Sequence, residues 1–217
     1  NGLMIENVKE NSQRGELRDR IIETASEAFT AHGIKSITMD DIAASLSISK
    51  RTLYEVFQDK ESLLTECILK RQEEMNTFLA ETLANSKNVL EVILVCYQRS
   101  IETFHRTNKR FFEDIKKYPK VHSLLKNYRE RDSDSTIEFF KMGIKQGIFR
   151  DDVNFAIVNL LVHEQLDLLM NTDICNKYSF LEVYEAIMFT YIRGISTEKG
   201  ARVLEDFITE YRKQRIH

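Results

Sequence analysis

Helical periodicity runs through this chain of 217 residues almost without pause, and a single proline, Pro119, interrupts it. With only seven glycines besides, the chain lacks the turn residues that an all-β fold uses freely. Hydrophobic residues make up 42% of it, too many for a disordered polymer, and a chain of this length buries most of its surface on folding. These constraints leave an all-α fold. The first helix spans about 16–32, with Ile21, Ile22, Ala25, Ala28 and Phe29 on one face and Gly33 as its stop. Thr38-Met39-Asp40-Asp41 reads as a capping box, opening a short helix whose buried side is Ile42, Ala43 and Leu46. After a break at Ser47-Ile48, Ser49 caps a third helix to about Phe57, and Asp59 caps a fourth to about Asn85. Longer helices follow near 88–107, 109–118, 121–146, 152–171, 179–194 and 198–214, with Asn171–Lys177 as a polar loop.

No apolar run approaches the ~18–20 residues of a spanning helix, since Glu91 interrupts even Val89–Tyr97, and no membrane partner is expected. The start Asn1-Gly2-Leu3-Met4 has no basic stretch followed by an apolar core, so it is no secretory leader. Asn1–Leu3 reads as a leftover ahead of a true start at Met4. Cys67, Cys96 and Cys175 form no CxxC pair and leave one thiol over in any disulfide scheme, which makes a reducing cytoplasm the expected location. The balance of 31 Lys and Arg against 34 Asp and Glu argues against coating nucleic acid by bulk charge but leaves room for a small basic patch.

Residues 38–57 have the proportions of a helix-turn-helix, too small to form a core alone, so the Ile21/Phe29 face of the first helix must close it. With Leu53 and Phe57 turned inward, Lys50, Arg51, Thr52 and Tyr54 are left near the N-terminal end and outer side of its second helix. Cations and hydroxyls there reach base edges and phosphate oxygens, and the helix N-terminus adds its own N–H groups. Residues 1–60 hold 8 Lys and Arg against 10 Asp and Glu, so the positive charge is local, at Lys35, Lys50, Arg51 and Lys60. By pattern alone, a DNA-binding unit and a plain helix pair stand equally open.

The stretch Ile21-Ile22-Glu23-Thr24-Ala25-Ser26-Glu27-Ala28-Phe29, then Gly33-Ile34 and Thr38-Met39-Asp40-Asp41-Ile42-Ala43, resembles the TetR family of bacterial transcriptional regulators. The likeness continues through Ile48-Ser49-Lys50-Arg51-Thr52-Leu53-Tyr54, Phe57 and Asp59-Lys60-Glu61-Ser62-Leu63, and covers about residues 17–64. It implies an N-terminal arm (1–15), a helix-turn-helix DNA-binding domain (16–60) and a helical ligand-binding and dimerisation domain (61–217). Thr38, Tyr54 and Lys60 match the family's usual phosphate-contacting places, and Lys50, Arg51 and Thr52 its base contacts. With Lys35 and Ser49 beside them, these are the expected DNA-contacting residues. Tyr54 has a second reading as core, but Leu53 and Phe57 already fill that role. One departure is Ser47, where the family usually has a glycine in the turn.

The resemblance further implies a repressor that binds an inverted-repeat operator as a homodimer and responds to a small molecule. The helices near 152–171 and 179–194 are apolar on more than one face, which fits either a symmetric four-helix dimer interface or a deep monomer core. Polar groups stranded on apolar helices mark candidates for the ligand: Cys96, Ser100 and Thr103 beside Phe104, and His163, Glu164 and Asp167 on the 152–171 helix. The alternative is close helix packing for the first set and a solvated or inter-subunit face for the second. His163 and Asp167 lack a third metal ligand, and neither His105 nor His122 has a partner at ligand spacing, so no metal or cofactor is expected. No Ser/His/Asp or Cys/His pairing argues for an enzyme. A protein-binding adaptor or a small-molecule enzyme on the same scaffold is the alternative function.

Overall fold

The computed structural model describes residues 2–131, 133–171 and 173–214. Twelve helices follow one another among them: α1 (Gly2–His32), α2 (Met39–Ser45), α3 (Lys50–Val56), α4 (Lys60–Asn85), α5 (Val89–Arg106), α6 (Lys109–Ile115), α7 (Pro119–Arg131), α8 (Ser133–Lys145), α9 (Phe155–Asn171), α10 (Ile174–Lys177), α11 (Phe180–Ile195) and α12 (Glu198–Gln214). None of them is long and apolar enough to cross a membrane. Pro119 opens α7, the position where its missing N–H is no loss.

The chain forms two compact units, one of Asn1–Asn76 and Thr103–Asn127, the other of Thr77–Glu102 and Tyr128–His217. In the first, Ile21, Ile22, Ala25 and Phe29 of α1 meet Ile42 and Ala43 of α2, Leu53 of α3, and Leu63, Leu64, Cys67 and Ile68 of α4. Phe111 of α6 and Val121 of α7 complete this core, which is why compactness does not change at residue 60. Helices of seven residues such as α2 and α3 fall short of the ~12–15 residues an isolated helix needs, so burial and caps hold them. In the second unit Val89, Leu90 and Tyr97 of α5 pack with Phe140, Phe149 and Phe155, with Phe189 and Ile192 of α11, and with Leu204 and Ile208 of α12.

Two expectations differ from what is observed. Residues 2–15, expected as an arm, continue α1, and no Pro or β-turn signal lies between Leu3 and Arg14 to stop it. Of the helix expected over 121–146, the described residues Pro119–Arg131 and Ser133–Lys145 are helical, and Asp132 lies outside the described residues. The polar loop after α9 contains one helical turn, α10, next to which Asn176 Nδ2 donates to Asp173 Oδ1 at 3.2 Å.

The turn between α2 and α3 is a left-handed helix stop. Ser47 sits at φ 55°, its N–H donates to the Ala44 carbonyl (3.1 Å), and the Ile48 N–H donates to the Ala43 carbonyl (3.0 Å). This paired pattern satisfies the last carbonyls of α2 and normally carries Gly, because a Cβ is crowded at positive φ. Ser47→Gly is therefore expected to stabilise the protein by about 0.5–1 kcal/mol, a rise of about 1–4 °C in the thermal midpoint, while Ser47→Val lowers it. Thermal unfolding followed by circular dichroism reads both.

Candidate nucleic-acid interface

α3 is set by Ser49, whose Oγ accepts the Thr52 N–H at 3.0 Å and lies 2.7 Å from Thr52 Oγ1. Leu53 is fully buried and Phe57 nearly so, which orients the helix and leaves Lys50, Arg51 and Tyr54 exposed, Tyr54 at 42%. Of the expected contacts, Ser49 and Thr52 thus spend their hydroxyls first on the helix start. Thr38 does the same for α2: its Oγ1 accepts the Asp41 N–H at 3.1 Å, and its own N–H donates to Asp41 Oδ2 at 2.8 Å. These bonds from Thr38 hold the Asp41 carboxyl below the usual carboxylate range.

The cations already have partners. Lys50 Nζ lies 2.9 Å from Asp40, and its hydrogen bond there raises the ammonium pKa; Arg51 Nε donates to Glu55 at 3.0 Å. Exposed pairs of this kind are worth ~0–1 kcal/mol, so they are weak enough for a stronger partner to replace. Lys60 differs, being half-buried with its Nζ 5.8 Å from the Phe29 ring centroid. Burial pulls its pKa down, while the charges of Asp114 and Asp41 pull it up. Lys35 is exposed on the turn between α1 and α2.

That turn is braced by α6, a helix the sequence did not connect with it. At the start of α6, the Asn108 backbone N–H donates to the Thr30 carbonyl (2.8 Å) and Nδ2 to the Ala31 carbonyl (3.1 Å), occupying carbonyls left open at the end of α1. The Asn108 Oδ1 accepts from the Arg110 N–H at 3.0 Å, capping α6 itself. Gly33 lies at φ 86°, and a Cβ there would come within 2.7 Å of Arg110 Cβ. Near the end of α6, Asp114 is 7% exposed and its Oδ2 accepts the Lys35 N–H at 2.7 Å. Burial works to raise this carboxyl, but the N–H groups of Lys35 and Ile34 and the nearby Lys117 outweigh it, and its pKa lies below the usual range. Asp114 and Lys35 are 79 residues apart, so no local pattern could have paired them. Arg71 of α4 reinforces the junction, donating to Thr30 Oγ1 at 2.8 Å and lying 5.2 Å above the Phe111 ring.

The residues expected to hold a ligand are divided between the two units. Cys96 and Ser100 are half-buried in the second, where Ser100 Oγ donates to the Cys96 carbonyl at 2.9 Å. Beside them Tyr97 is buried, stacked on Tyr184 with centroids 5.1 Å apart, and its hydroxyl makes no hydrogen bond. This aromatic group, with Phe189 and Tyr211, was not singled out by sequence, where its spacing reads as core. Thr103 and Phe104 fall in the first unit; Thr103 is exposed and Phe104 stacks on Phe112 at 5.5 Å. On α9, His163 and Asp167 are half-buried, but Glu164 faces outward in line with Ile157, Leu160, Leu161 and Leu168, all more than half exposed.

A family model described as bacterial regulatory proteins, tetR family, matches residues 21–67, the span that carries α2, α3 and their closing helices. The HTH-type transcriptional repressor KstR2 of Mycobacterium tuberculosis is 23% identical over 160 residues, 71% of this chain and 78% of that protein. The HTH-type transcriptional regulator UidR of Escherichia coli is 26% identical over 161 residues, 73% of this chain and 81% of that protein. A solved TetR-family transcriptional regulator from Cytophaga hutchinsonii shares the fold, with a TM-score of 0.67 at 15% identity over 86% of this chain and 98% of that one.

Thr38→Ala is expected to cost about 1 kcal/mol of stability at neutral pH, the usual worth of an N-cap. Because the folded Asp41 pKa is depressed, the stability it contributes is present above the ordinary carboxyl value of ~3.9 and lost as pH falls through the lower folded value. The difference between wild type and Thr38→Ala should therefore shrink in strong acid, as measured by urea denaturation at neutral and acidic pH.

Proposed function

Since the chain belongs to the TetR family of bacterial transcriptional regulators, we propose that it is a ligand-responsive repressor that binds an inverted-repeat operator as a homodimer. The observation that carries DNA recognition is α3: Leu53 and Phe57 anchor it in the core and leave Lys50, Arg51 and Tyr54 on one exposed face. Arg51 presents paired donors to a guanine edge, Lys50 reads an adjacent base or phosphate, and Tyr54, Thr38, Lys35 and Lys60 meet the backbone. Ser49 and Thr52 chiefly set the angle of the helix. Lys60 must turn from Phe29 to reach a phosphate.

The homodimer is supported by α9, which exposes Ile157, Leu160, Leu161 and Leu168 at 53–59%. Apolar side chains concentrated on one helix face are characteristic of a surface that another protein covers. Beside it α11 exposes Ala186, Thr190 and Gly194 at every fourth position, small residues that admit a close helix approach. A two-fold axis through such a face carries two α3 helices, which suits half-sites ~34–36 Å apart or a related spacing. We place Glu164 at this subunit interface and the effector around Cys96, Tyr97, Ser100 and Tyr184. The unbonded Tyr97 hydroxyl there is a buried group without its usual partner. An effector that prefers a dimer with wrongly spaced α3 helices weakens DNA binding by reciprocal linkage. This reading makes the protein a regulator rather than an enzyme or an adaptor.

Selection of duplexes from a random library should recover an inverted repeat, and Lys50→Ala with Arg51→Ala should abolish its enrichment. If 6–10 phosphates are contacted, affinity falls about 10³–10⁵-fold between ~50 and ~200 mM salt. Enrichment that survives the double substitution would sink the assignment of α3. Separately, Leu160→Asp with Leu161→Asp should raise the dimer dissociation constant by about 100-fold or more, with helix content retained. Sedimentation velocity measures it, and an unchanged dimer would remove α9 from the interface.

A further inference from the structure

We propose that Asp114 is a positioning residue for DNA binding: from α6 it holds the turn between α1 and α2, and with it Lys35 and Thr38, in the conformation that meets the phosphate backbone. The inference rests on the DNA-contacting reading of Lys35 and Thr38 given above. Among the described residues Asp114 is the one acidic side chain that is buried. A carboxylate withdrawn from water is costly unless its oxygens are satisfied. Here the satisfying group is main-chain: Oδ2 takes the Lys35 N–H at 2.7 Å, and the Ile34 N–H nearby also favours the charged form. The Lys117 ammonium, 3.4 Å away, is 61% exposed and adds little.

The turn has few bonds of its own with which to keep this shape. The Ser36 hydroxyl donates to the His32 carbonyl at 2.7 Å, and the Ile37 N–H reaches the Ile34 carbonyl at a long 3.4 Å. Both connect the turn to itself or to α1; the Lys35 N–H is the bond that ties it to another helix. α6 is in turn fixed at its other end by Asn108 on the Thr30 and Ala31 carbonyls, and its middle lies against Gly33, where a side chain would collide with Arg110. The turn is thus gripped on both flanks by one helix. Three residues after Lys35, Thr38 starts α2. A shift of the turn therefore moves both a cation and the first N–H groups of α2. Asp114 also faces Lys60 together with Asp41, so the same carboxylate bears on a second expected phosphate contact.

The test is a double-mutant cycle on the affinity for the selected duplex, read by fluorescence anisotropy at fixed salt. Asp114→Asn keeps the shape but turns the charged acceptor into an amide whose donors face N–H groups. It should weaken binding about tenfold. Its effect should be non-additive with Thr38→Ala and with Lys35→Ala, and additive with Arg51→Ala, a pattern that mere loss of stability would not produce. Wild-type affinity in Asp114→Asn, or additivity with all three substitutions, overturns the inference. If wild type itself selects no duplex, the functional reading fails first, and the two failures are distinguished. In wild-type protein, needing no variant, the Lys35 amide should exchange slowly with deuterium and more slowly on the duplex. Exchange of that amide at the rate of an unstructured peptide would overturn the proposal even if Asp114→Asn does not fold.

Discussion

A helix that ends with its carbonyls facing a turn, and a turn that must present side chains outward, create a shortage of hydrogen-bond partners at one place. In this protein the end of α1 and the turn to α2 are that place, and α6 supplies what both lack. Asn108 donates to the Thr30 and Ala31 carbonyls, Asp114 accepts the Lys35 N–H, and Gly33 lets the backbones approach. Each polar group left unpaired in such a junction would cost ~1–3 kcal/mol. The bracket therefore fixes the end of α1 and the turn that leads into α2.

Within that frame the surface of α2 and α3 follows a division of labour between short and long side chains. Hydroxyls and small acids at Thr38, Asp41, Ser49 and Asp59 close the starts of α2, α3 and α4, where each satisfies backbone N–H groups left open by the helix. Lys50, Arg51 and Tyr54 take no part in the core and stay exposed. The acids beside them, Asp40 and Glu55, neutralise the cations only weakly because both pairs are in water. An overall charge of −3 is thus compatible with a locally basic face on α3.

The second unit shows the opposite use of apolar residues. Leu181, Phe189, Ile192 and Ile195 of α11 point inward, and α9 keeps Phe155, Val162 and Leu169 for the core while placing Ile157, Leu160, Leu161 and Leu168 outside. A helix that is apolar all round has to be covered all round. One side is covered by its own chain, and the proposed homodimer supplies the other.

How much of this was legible in the sequence divides along the range of the forces involved. Helix positions, the caps at Thr38, Ser49 and Asp59, the inward Leu53 and Phe57, and the outward Lys50 and Arg51 are local consequences of a 3.6-residue repeat and of hydroxyls placed before it. The left-handed turn at Ser47 was legible only through the family resemblance, which has a glycine there, because a serine does not by itself signal a positive φ. The pairing of Asp114 with Lys35, the inward set of Lys60 and the outward set of Glu164 were not, because each depends on which distant helix lies alongside. By itself the sequence determined an all-α chain with a helix-turn-helix near its front, through periodicity and capping that act within a turn or two. The tertiary structure alone decided that α6 braces the turn between α1 and α2 and which side of α9 is left uncovered, because burial and long-range hydrogen bonds exist only once the helices have packed.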